Sequence, residues 1–232
     1  KMMKINFVLV EPKVPENIGA SARAIKTMGF DSLVLVNPCE FKEGKSRWVA
    51  HGSAEILENA KVYNSLAEAL SDSDFAIATS IRRRMVKVDI VNSRNLSEFL
   101  ISKSGYIKNV SLVFGREESG LTNDEIKLCD IISAVPMQIK YPSLNLAQAV
   151  MIYAYELSKH IQDFKTIEDE TDNDSYNAMK NKVRQLLYKI GLTEADNRFG
   201  RIMERVAFLK DGDINLAHTI CNLIEERLQA VC

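Results

Sequence analysis

The chain has few of the residues that build metal centres and disulfide frameworks. Its 232 residues include four cysteines and three histidines. The cysteines show no CxxC spacing, and the histidines show no metal-ligand spacing with them. Structural zinc sites and disulfide-rich secreted folds depend on such spacings. The sequence therefore disfavours both classes, and we expect a protein without a bound metal.

Long apolar runs are also missing, as is any excess of basic charge. No apolar stretch approaches the roughly 20 residues that cross a bilayer as a helix, and residues 1–10 lack a signal-peptide cleavage pattern. The chain carries 30 Lys plus Arg against 31 Asp plus Glu, a formal net charge of -1. We therefore expect a cytoplasmic protein with no membrane partner, in which any binding of nucleic acid depends on local basic patches.

What the chain does contain is an alternation of apolar strands and helical patterns over its first two thirds. With 46% hydrophobic residues, it can bury a sizeable core. The predicted strands are residues 5–10, 33–36, 62–63, 75–79, 110–114 and 131–135. Strands that are apolar on both faces and alternate with helices predict an α/β fold, a parallel sheet with helices on both faces. In such sheets ligands bind beyond the carboxyl ends of the strands.

The composition changes after this region and predicts three segments in the chain. Residues 1–161 form the predicted α/β domain. Residues 162–175 are acidic and nearly free of apolar side chains, which is typical of a linker. Residues 176–232 carry three amphipathic helical patterns and predict a small helical C-terminal domain. Such a domain could cover the first one, dimerise or contact a large substrate.

The first candidate motif is the sequence ENIGASAR at residues 16–23, after the first strand. Asn17 and Gly19 are typical of a turn into a helix, but their spacing is not the G-x-G-x-x-G of a dinucleotide-binding turn, which disfavours a Rossmann cofactor. Arg23 follows Gly19 by one helical turn. An arginine beside a helix N-terminus can clamp a phosphate, although a solvated surface arginine is the alternative.

The second candidate motif, FGREESGLT at residues 114–122, directly follows a predicted strand. Gly115 and Gly120 would let the backbone approach a ligand closely. Thr122 or Asn123 can cap the helix that follows. A plain surface turn would also use glycines, but it would not need the Arg-Glu-Glu between them at the ligand-binding edge of the sheet.

The third candidate motif follows the last predicted strand, which ends before Pro136. Residues 141–145, with the sequence YPSLN, are rigid and polar, and helical spacing begins at Leu146. Ser143 and Asn145 therefore lie where a helix exposes unpaired N–H groups, a position that suits the edge of a ligand. The alternative is that Ser143 or Asn145 is simply the N-cap of a core helix.

Together the segments ENIGASARA, VFGREESGLT and PSLNLAQAV resemble the three motifs of the TrmH (SpoU) branch of the SPOUT superfamily of RNA methyltransferases. The resemblance covers about residues 5–160, and the helical tail makes the chain most similar to the TrmJ and LasT group. It implies methyl transfer from S-adenosylmethionine to a ribose 2′-hydroxyl of RNA, with the tRNA anticodon loop as first candidate and rRNA as second. It also implies a homodimer and a sheet whose C-terminal part forms a trefoil knot.

In this family, backbone groups of the knot loops hold the cofactor. The resemblance assigns cofactor binding to Thr79, Ser80, Ile81, Gly115, Val135, Met137, Pro142, Ser143, Leu144 and Asn145. It assigns catalysis to Asn17, Arg23, Glu117, Ser143 and Asn145. Because a guanidinium rarely gives up its proton, we expect Arg23 to orient a phosphate and stabilise a developing alkoxide at the partner protomer's cofactor. Glu117 is the predicted proton acceptor, and its alternative is a salt bridge to Arg116 or Arg23.

RNA would be held by local basic charge. The predicted RNA-binding residues are Arg23, Arg82, Arg83 and Arg84. A second candidate patch contains Lys42, Lys45 and Arg47 beside Trp48, whose ring could stack on a base. Runs of charge are also common on solvated faces. Two other classes stay open, a small-ligand α/β enzyme that does not bind RNA and a non-catalytic RNA-binding relative.

Overall fold

The computed structural model describes residues 3–80, 89–138, 144–159, 174–209 and 211–229. Within these ranges, seven strands form one sheet. The strands are β1 (Lys4–Val10), β2 (Ser32–Val36), β3 (Lys61–Tyr63), β4 (Phe75–Thr79), β5 (Ile90–Asn92), β6 (Asn109–Phe114) and β7 (Ile131–Ala134). Their order is β3-β2-β1-β6-β4-β7-β5, and all adjacent strands are parallel. The predicted α/β fold with a parallel sheet is confirmed.

Helices cover both faces of this sheet. They are α1 (Pro15–Thr27), α2 (Lys45–Ala50), α3 (Ala54–Glu58), α4 (Leu66–Ala69), α5 (Ser93–Ile101), α6 (Asn123–Lys127), α7 (Leu146–Ser158), α8 (Asp174–Lys189), α9 (Asn197–Val206) and α10 (Asp211–Gln229). Alternate residues of a strand point to opposite faces. Phe7 of β1 accordingly packs with α1, α5 and α7 on one face, and Val8 packs with α4 and α6 on the other. Among the described residues, no helix is long and apolar enough to cross a membrane.

One strand was missed by the sequence analysis, and one local prediction was wrong. Strand β5 was not predicted, because it has only three half-buried residues and shows no clear alternation. Asn17 and Gly19 do not form a turn into a helix but lie inside α1, which begins at Pro15. Gly19 is needed for another reason: a Cβ at this position would overlap the backbone of Ser46, so only glycine lets α1 and α2 pack this closely.

The C-terminal helices dock on the amino-terminal edge of the sheet. Asp74 and Asp130 directly precede β4 and β7. Asp74 accepts a hydrogen bond from Asn177 of α8 at 3.0 Å, and Asp130 forms an ion pair with Lys180, one helical turn further along α8. These contacts anchor α8 at the edge opposite to the carboxyl ends of the strands.

Helix α9 is anchored at the same edge through the residue that precedes β5. The carboxylate of Asp89 accepts hydrogen bonds from Arg201 at 3.0 Å and from Arg205 at 2.7 Å. Glu204, which is buried, accepts the backbone N–H of Asp89 at 2.8 Å. An aspartate thus stands before each of β4, β5 and β7, and each one binds a C-terminal helix. The three predicted C-terminal helical patterns correspond to helices, whereas the predicted linker lies largely outside the described residues.

Candidate active site

The carboxyl ends of the central strands carry the residues predicted to bind a cofactor. Thr79 ends β4 and Ser80 follows it, Gly115 follows β6, and Val135 and Met137 follow β7. All five are half-buried. Because the strands are parallel, these residues lie at one edge of the sheet, as the sequence predicted. The predicted residues Ile81, Pro142 and Ser143 lie outside the described part of the chain.

A chain of side-chain hydrogen bonds joins the three motifs. Asn17 donates from Nδ2 to Oε1 of Glu117 at 3.1 Å. Asn145 donates from Nδ2 to Oδ1 of Asn17 at 2.9 Å. Asn17 is buried and uses its amide both as donor and as acceptor. The structure therefore brings together one residue from each motif, although Asn17 lies 100 positions before Glu117 and 128 before Asn145.

Asn145 has a second function as the N-cap of α7. Its Oδ1 accepts the backbone N–H of Ala147 at 2.9 Å, and Gln148 returns the contact by accepting the N–H of Asn145 at 3.2 Å. This reciprocal pair is a capping box. The capping alternative for Asn145 is thus confirmed. The cap fixes the side chain so that its other end reaches Asn17.

Glu117 is held by the loop that precedes α1. Its carboxylate accepts the backbone N–H of Lys13 at 3.2 Å and that of Val14 at 3.3 Å, in addition to the Asn17 amide. Partial burial on its own raises the pKa of Glu117, but the hydrogen bonds from Asn17 and from backbone N–H groups outweigh it, and the pKa is lowered overall. Glu117 is therefore ionised at neutral pH and is a weaker proton acceptor than an ordinary glutamate.

This lowered pKa predicts an acid-side effect on stability. A carboxyl group whose native pKa lies below its ordinary value of 4.5 stabilises the fold above that pH, and the contribution is lost as the pH falls through the native pKa. Glu117→Gln should therefore be less stable than the wild type at neutral pH by about 1 kcal/mol, a modest value because solvent screens the partly exposed carboxylate.

Urea unfolding at several pH values measures this difference, which should shrink below about pH 4.5 as Glu117 becomes protonated in both states. Glu118→Gln, at the exposed neighbouring position, is the matched control and should show no such change. A difference between wild type and Glu117→Gln that stays constant down to about pH 3 would contradict the assignment.

Arg116 stabilises the loop of the second motif. Its guanidinium forms hydrogen bonds to Glu11 at 2.8 Å and to Glu125 at 2.9 Å, and these bonds raise its pKa. It is therefore not the partner of Glu117. Gly115 and Gly120 also serve this loop: a Cβ on Gly115 would overlap the backbone of Gly120, and Gly120 has a φ of 69°. The loop's own geometry accounts for both glycines, which were predicted to permit approach of a ligand.

Arg23 lies in a groove between α1 and α7. The groove has a volume of about 820 Å³, and Arg23, Leu144 and Asn145 line it together with Val49 and Met151. Arg23 is exposed, and within the described ranges its guanidinium has no hydrogen bond or ion pair. It is the ninth residue of α1, roughly 12 Å along the axis from the first. The predicted position beside the helix N-terminus is therefore wrong, but the side chain is available to a ligand.

Of the two predicted basic patches, the structure describes only the second. Arg82, Arg83 and Arg84 lie outside the described residues. In the second patch, Lys45 is paired with Glu16 at 3.0 Å and Arg47 with Glu58 at 2.9 Å. Its positive charge is therefore largely neutralised. Trp48, in contrast, is 72% exposed on α2.

Comparison with protein families decides the affiliation. The model of the SpoU rRNA Methylase family matches residues 4–155, more than half of the chain. The chain belongs to the SpoU methylase family. The C-terminal helices have a match of their own, because the C-terminal domain of tRNA/rRNA methyltransferase LasT matches residues 173–228.

Two relatives of this SpoU methylase have informative names. The Escherichia coli K12 protein named uncharacterized tRNA/rRNA methyltransferase LasT is 39% identical over 226 residues, covering 97% of this chain and 99% of that protein. The Methanocaldococcus jannaschii protein named tRNA (cytidine-2'-O-)-methyltransferase TrmJ is 37% identical over 159 residues, covering 67% of this chain and 68% of that protein.

Solved structures show the same fold over most of the SpoU methylase. The crystal structure of TrmJ from Z. mobilis ZM4 has a TM-score of 0.64 at 28% identity and covers 95% of this chain and 98% of its own. The SpoU methyltransferase AviRb from Streptomyces viridochromogenes, solved in complex with AdoMet, has a TM-score of 0.54 at 19% identity and covers 69% of this chain and 61% of its own. AviRb shares the fold.

Some residues of this SpoU methylase site were not predicted from its sequence. Gln148 could have been, because an Asn followed three residues later by Gln at a helix start is the signature of a capping box. Glu125 could have been predicted by the same signature, with Thr122 as the cap, whereas Glu11 could not, because its pairing with Arg116 joins positions 105 residues apart. Only the fold brings these two side chains together.

Proposed function

We propose that this chain is an S-adenosylmethionine-dependent methyltransferase that acts on a ribose 2′-hydroxyl of RNA, with tRNA as the first substrate and rRNA as the second. The observation that supports this most is the hydrogen-bonded chain of Glu117, Asn17 and Asn145 beside the exposed Arg23. It gives the site a hydrogen-bonded polar base and one exposed cation that has no partner among the described residues. The printed name of the TrmJ relative supports the same reaction.

The residues at the carboxyl edge fit an adenosine cofactor. Val135 and Met137, after β7, and Leu144, before α7, are half-buried apolar side chains near backbone donors and acceptors, a combination that suits an adenine ring. Together with Thr79, Ser80, Gly115 and Asn145, they would hold S-adenosylmethionine. When bound, this cofactor supplies a methyl group on a positively charged sulfur. In the described part of the chain, no cluster of three or more His, Cys, Asp or Glu could hold a metal.

The order of the strands supports a knotted cofactor site. Strand β7 lies between β4 and β5 in the sheet, although it follows both in sequence. A late strand inserted between two earlier ones is compatible with a chain that passes through its own loop, so we keep the trefoil knot as part of the proposal. The division into residues 1–161, an acidic linker 162–175 and a helical C-terminal domain 176–232 is likewise proposed, as is a cytoplasmic location.

We assign different roles to Arg23 and Glu117. Arg23 would orient the RNA phosphate and stabilise negative charge as it develops on the 2′-oxygen, because an exposed guanidinium is a fork of five donors that stays protonated. Glu117 would position Asn17 rather than accept the proton, since its oxygens already accept three hydrogen bonds and its pKa is lowered. Because Asn17 donates to Glu117, its amide oxygen is left to accept from Asn145, and these hydrogen bonds would fix the orientation of the Asn145 side chain towards the cofactor.

Comparing ribose methylation in total RNA from cells with and without the gene tests the proposal. We expect one or a few 2′-O-methylated positions in tRNA to be lost with the gene and restored by the wild type but not by Asn145→Ala. Loss of a 2′-O-methylated position in rRNA instead would identify rRNA, the second candidate, as the substrate. Unchanged methylation in both, together with failure of the purified protein to bind S-adenosylmethionine, would overturn the function.

The groove between α1 and α7 also provides a surface for a second protomer. The groove is lined in part by small side chains, those of Ala20, Ala24 and Ala147, and by the exposed side chain of Met151. We expect a homodimer that buries this groove around Arg23 and the partner's cofactor. Met151→Glu should shift light-scattering mass towards the monomer, whereas Met151→Leu should not, because only the glutamate places a charge in the contact. A wild-type monomer at micromolar concentration would contradict this prediction.

Trp48 gives a direct spectroscopic test of RNA contact. It is the chain's one tryptophan, so its fluorescence reports on α2 alone. Its neighbour Val49 lines the groove that contains Arg23. We expect tRNA to quench this fluorescence by stacking of a base on the indole, a contact worth about 1 to 3 kcal/mol per base.

Trp48→Ala should then weaken tRNA binding by about tenfold, and Trp48→Phe, which keeps an aromatic face, should recover most of it. S-adenosylmethionine alone should leave the emission unchanged. If the emission of the RNA-free dimer is already that of a buried indole, Trp48 contacts the other protomer and the stacking prediction is wrong.

A further inference from the structure

A separate cavity lies at the carboxyl ends of β2 and β3, and the proposed function does not use it. Its volume is about 320 Å³. Two loops that are distant in sequence form its walls, residues 37–42 after β2 and residues 62–64 at the end of β3. Ligands of parallel sheets bind beyond this edge. We call this cavity the β2–β3 pocket.

The loop after β2 is held in one shape by hydrogen bonds of its own backbone. The N–H of Asn37 donates to the carbonyl of Tyr63 at 3.0 Å, and the N–H of Cys39 donates to the carbonyl of Pro12 at 3.1 Å. Oε1 of Glu40 accepts the N–H groups of the two residues that follow it, at 3.1 and 3.0 Å. The pocket is therefore preformed, which lowers the entropic cost of binding a ligand.

Four side chains of the pocket end in groups that the fold does not use. Nδ2 of Asn37 donates to the backbone carbonyl of Asn64 at 2.8 Å, so Oδ1 of Asn37 is left as an acceptor without a partner in the described chain. The Asn64 amide, the second carboxylate oxygen of Glu40 and the ammonium group of Lys42 also have no partner within the described ranges. The pocket thus offers two acceptors, one cation and one amide that can both donate and accept.

Apolar side chains line the rest of the pocket. Phe41 is buried, Tyr63 is half-buried and Val62 is half exposed. Cys39 adds a thiol whose pKa is raised, first by burial and then by the negative charge of Glu117, so it is uncharged at neutral pH. An aromatic and apolar lining with a few polar groups is typical of a pocket for a small heterocycle.

The β2–β3 pocket lies beside the hydrogen-bonded chain of the candidate active site. Cys39 is bonded to Pro12, and the two residues after Pro12 donate their N–H groups to Glu117. In the strand order, β2 is three spacings from β4, roughly 14 Å at about 4.8 Å each. This is farther than the base of a nucleotide reaches from its own 2′-oxygen. The pocket is therefore placed to bind a neighbour of the methylated nucleotide.

We propose that the β2–β3 pocket binds an unpaired base of the substrate RNA, one that flanks the methylated nucleotide and carries an amino group. The inference rests on the proposed RNA methyltransferase function and adds substrate recognition to it. The acceptors of Asn37 and Glu40 fit the exocyclic amino group of cytosine, adenine or guanine, because amide and carboxylate oxygens accept from such groups when proteins recognise bases. Uracil carries no amino group. Lys42 would contact the adjoining phosphate.

The thiol of Cys39 reports directly on whether the pocket is occupied. Cys39 lines the pocket, whereas Cys129 and Cys221 are buried. In the full chain carrying Cys232→Ser, the rate at which a small thiol reagent modifies Cys39 therefore measures access to the pocket. CMP at millimolar concentration should slow this reaction severalfold, and UMP, which lacks the amino group, should slow it less. Ribose 5-phosphate should have no effect.

The same readout tests recognition of RNA. The probe is the tRNA or rRNA fraction that loses a methylated position with the gene, isolated from cells without the gene. Asn64→Ala should raise the RNA concentration that half-protects Cys39 by about tenfold, and should raise the KM for RNA with little change in kcat. Asn59→Ala changes an exposed asparagine before the amino end of β3 and is the matched control, which should behave like the wild type.

The possible failures are distinguishable. Equal protection by CMP and UMP, or any protection by ribose 5-phosphate, would overturn the recognition of an amino-bearing base. Protection by RNA that is unchanged in Asn64→Ala would overturn the base contact itself. If the wild type methylates the RNA but the RNA leaves Cys39 unprotected, the pocket is not part of the RNA site and the proposed function stands. If the wild type neither binds S-adenosylmethionine nor methylates RNA, the proposed function fails and this inference fails with it.

Discussion

Arg23→Ala should lower the rate of RNA methylation by about a hundredfold or more and leave the affinity for S-adenosylmethionine within a factor of about two to three. The reason is the position of Arg23. Its guanidinium is exposed in the groove and has no protein partner in the described ranges, so its removal disturbs no contact that holds the fold or the cofactor loops. The variant loses instead the contact with the RNA phosphate and the stabilisation of the negative charge that develops at the 2′-oxygen.

Asn145→Ala is the matched comparison and should behave differently. It removes the N-cap of α7 and the hydrogen bond to Asn17, so cofactor binding and activity should fall together. Each lost hydrogen bond is worth about 0.5 to 1.5 kcal/mol. Single-turnover methylation of tRNA with labelled cofactor, combined with calorimetric titration of S-adenosylmethionine, separates the two effects.

Arg23→Lys distinguishes charge from geometry. Lysine keeps the positive charge but loses the planar fork that binds a phosphate through two donors. Little recovery of the methylation rate indicates bidentate contact, and nearly full recovery indicates that charge is sufficient. Methylation by Arg23→Ala at the wild-type rate, or a loss of cofactor affinity as severe as that of Asn145→Ala, would remove Arg23 from the acceptor side of the reaction.

The convergence of the three motifs was predictable because it follows from one rule. Parallel strands place their carboxyl ends at one edge, so Asn17, Glu117 and Asn145 had to lie near one another once the strands were recognised. Their pairwise contacts were not predictable. The alternative interpretation of Glu117, a salt bridge to Arg116 or Arg23, was reasonable from its neighbour in sequence, but Arg116 binds Glu11 and Glu125 instead.

The glycines show why local reasoning is incomplete. Gly19 and Gly115 were expected to serve a turn or a ligand, and both instead permit a close approach between two backbones of the same chain. The partner backbones, Ser46 and Gly120, carry no sequence signal of that role. In the same way, no local pattern indicates that Asp74 and Asp130 hold the C-terminal helix α8, because an aspartate before a strand is equally typical of a solvated loop.

A second large effect is expected where the C-terminal helices meet the core, at Lys103. This lysine is almost fully buried, and its ammonium group donates a hydrogen bond to the carbonyl oxygen of Leu209, after α9, at 2.6 Å. Four aromatic rings surround it at 5.0 to 5.9 Å from the ammonium nitrogen to the ring centres. The rings belong to Phe75, Phe99, Tyr106 and Tyr176. Lys103 thus joins β4 and α5 to Tyr176 of α8 and to the residue Leu209 that follows α9.

Lys103→Ala should destabilise the protein by about 3 to 5 kcal/mol. It leaves a cavity between the rings, which for a side chain of this length costs about 2 to 5 kcal/mol, and it removes the attraction of a desolvated cation to aromatic faces. Lys103→Met separates the two contributions, because it fills most of the space without the charge. It should cost about 1 to 2 kcal/mol, since Tyr106 still donates to the Leu209 carbonyl at 3.1 Å.

Urea unfolding measures the change in the free energy of unfolding for each variant, and hydrogen exchange shows which helices and strands are destabilised. In Lys103→Ala, the amides of α8 and α9 should lose protection before those of β1 and β6, because Lys103 bonds to the C-terminal segment directly and meets the sheet at Phe75, at the start of β4. Lys189→Ala is the control: this lysine is half exposed and paired with Glu225, so its removal should cost under about 1 kcal/mol. If Lys103→Ala costs no more than this control, the cation among the rings does not hold the C-terminal helices on the sheet, and their anchoring rests on other contacts, such as those of Asp74, Asp89 and Asp130.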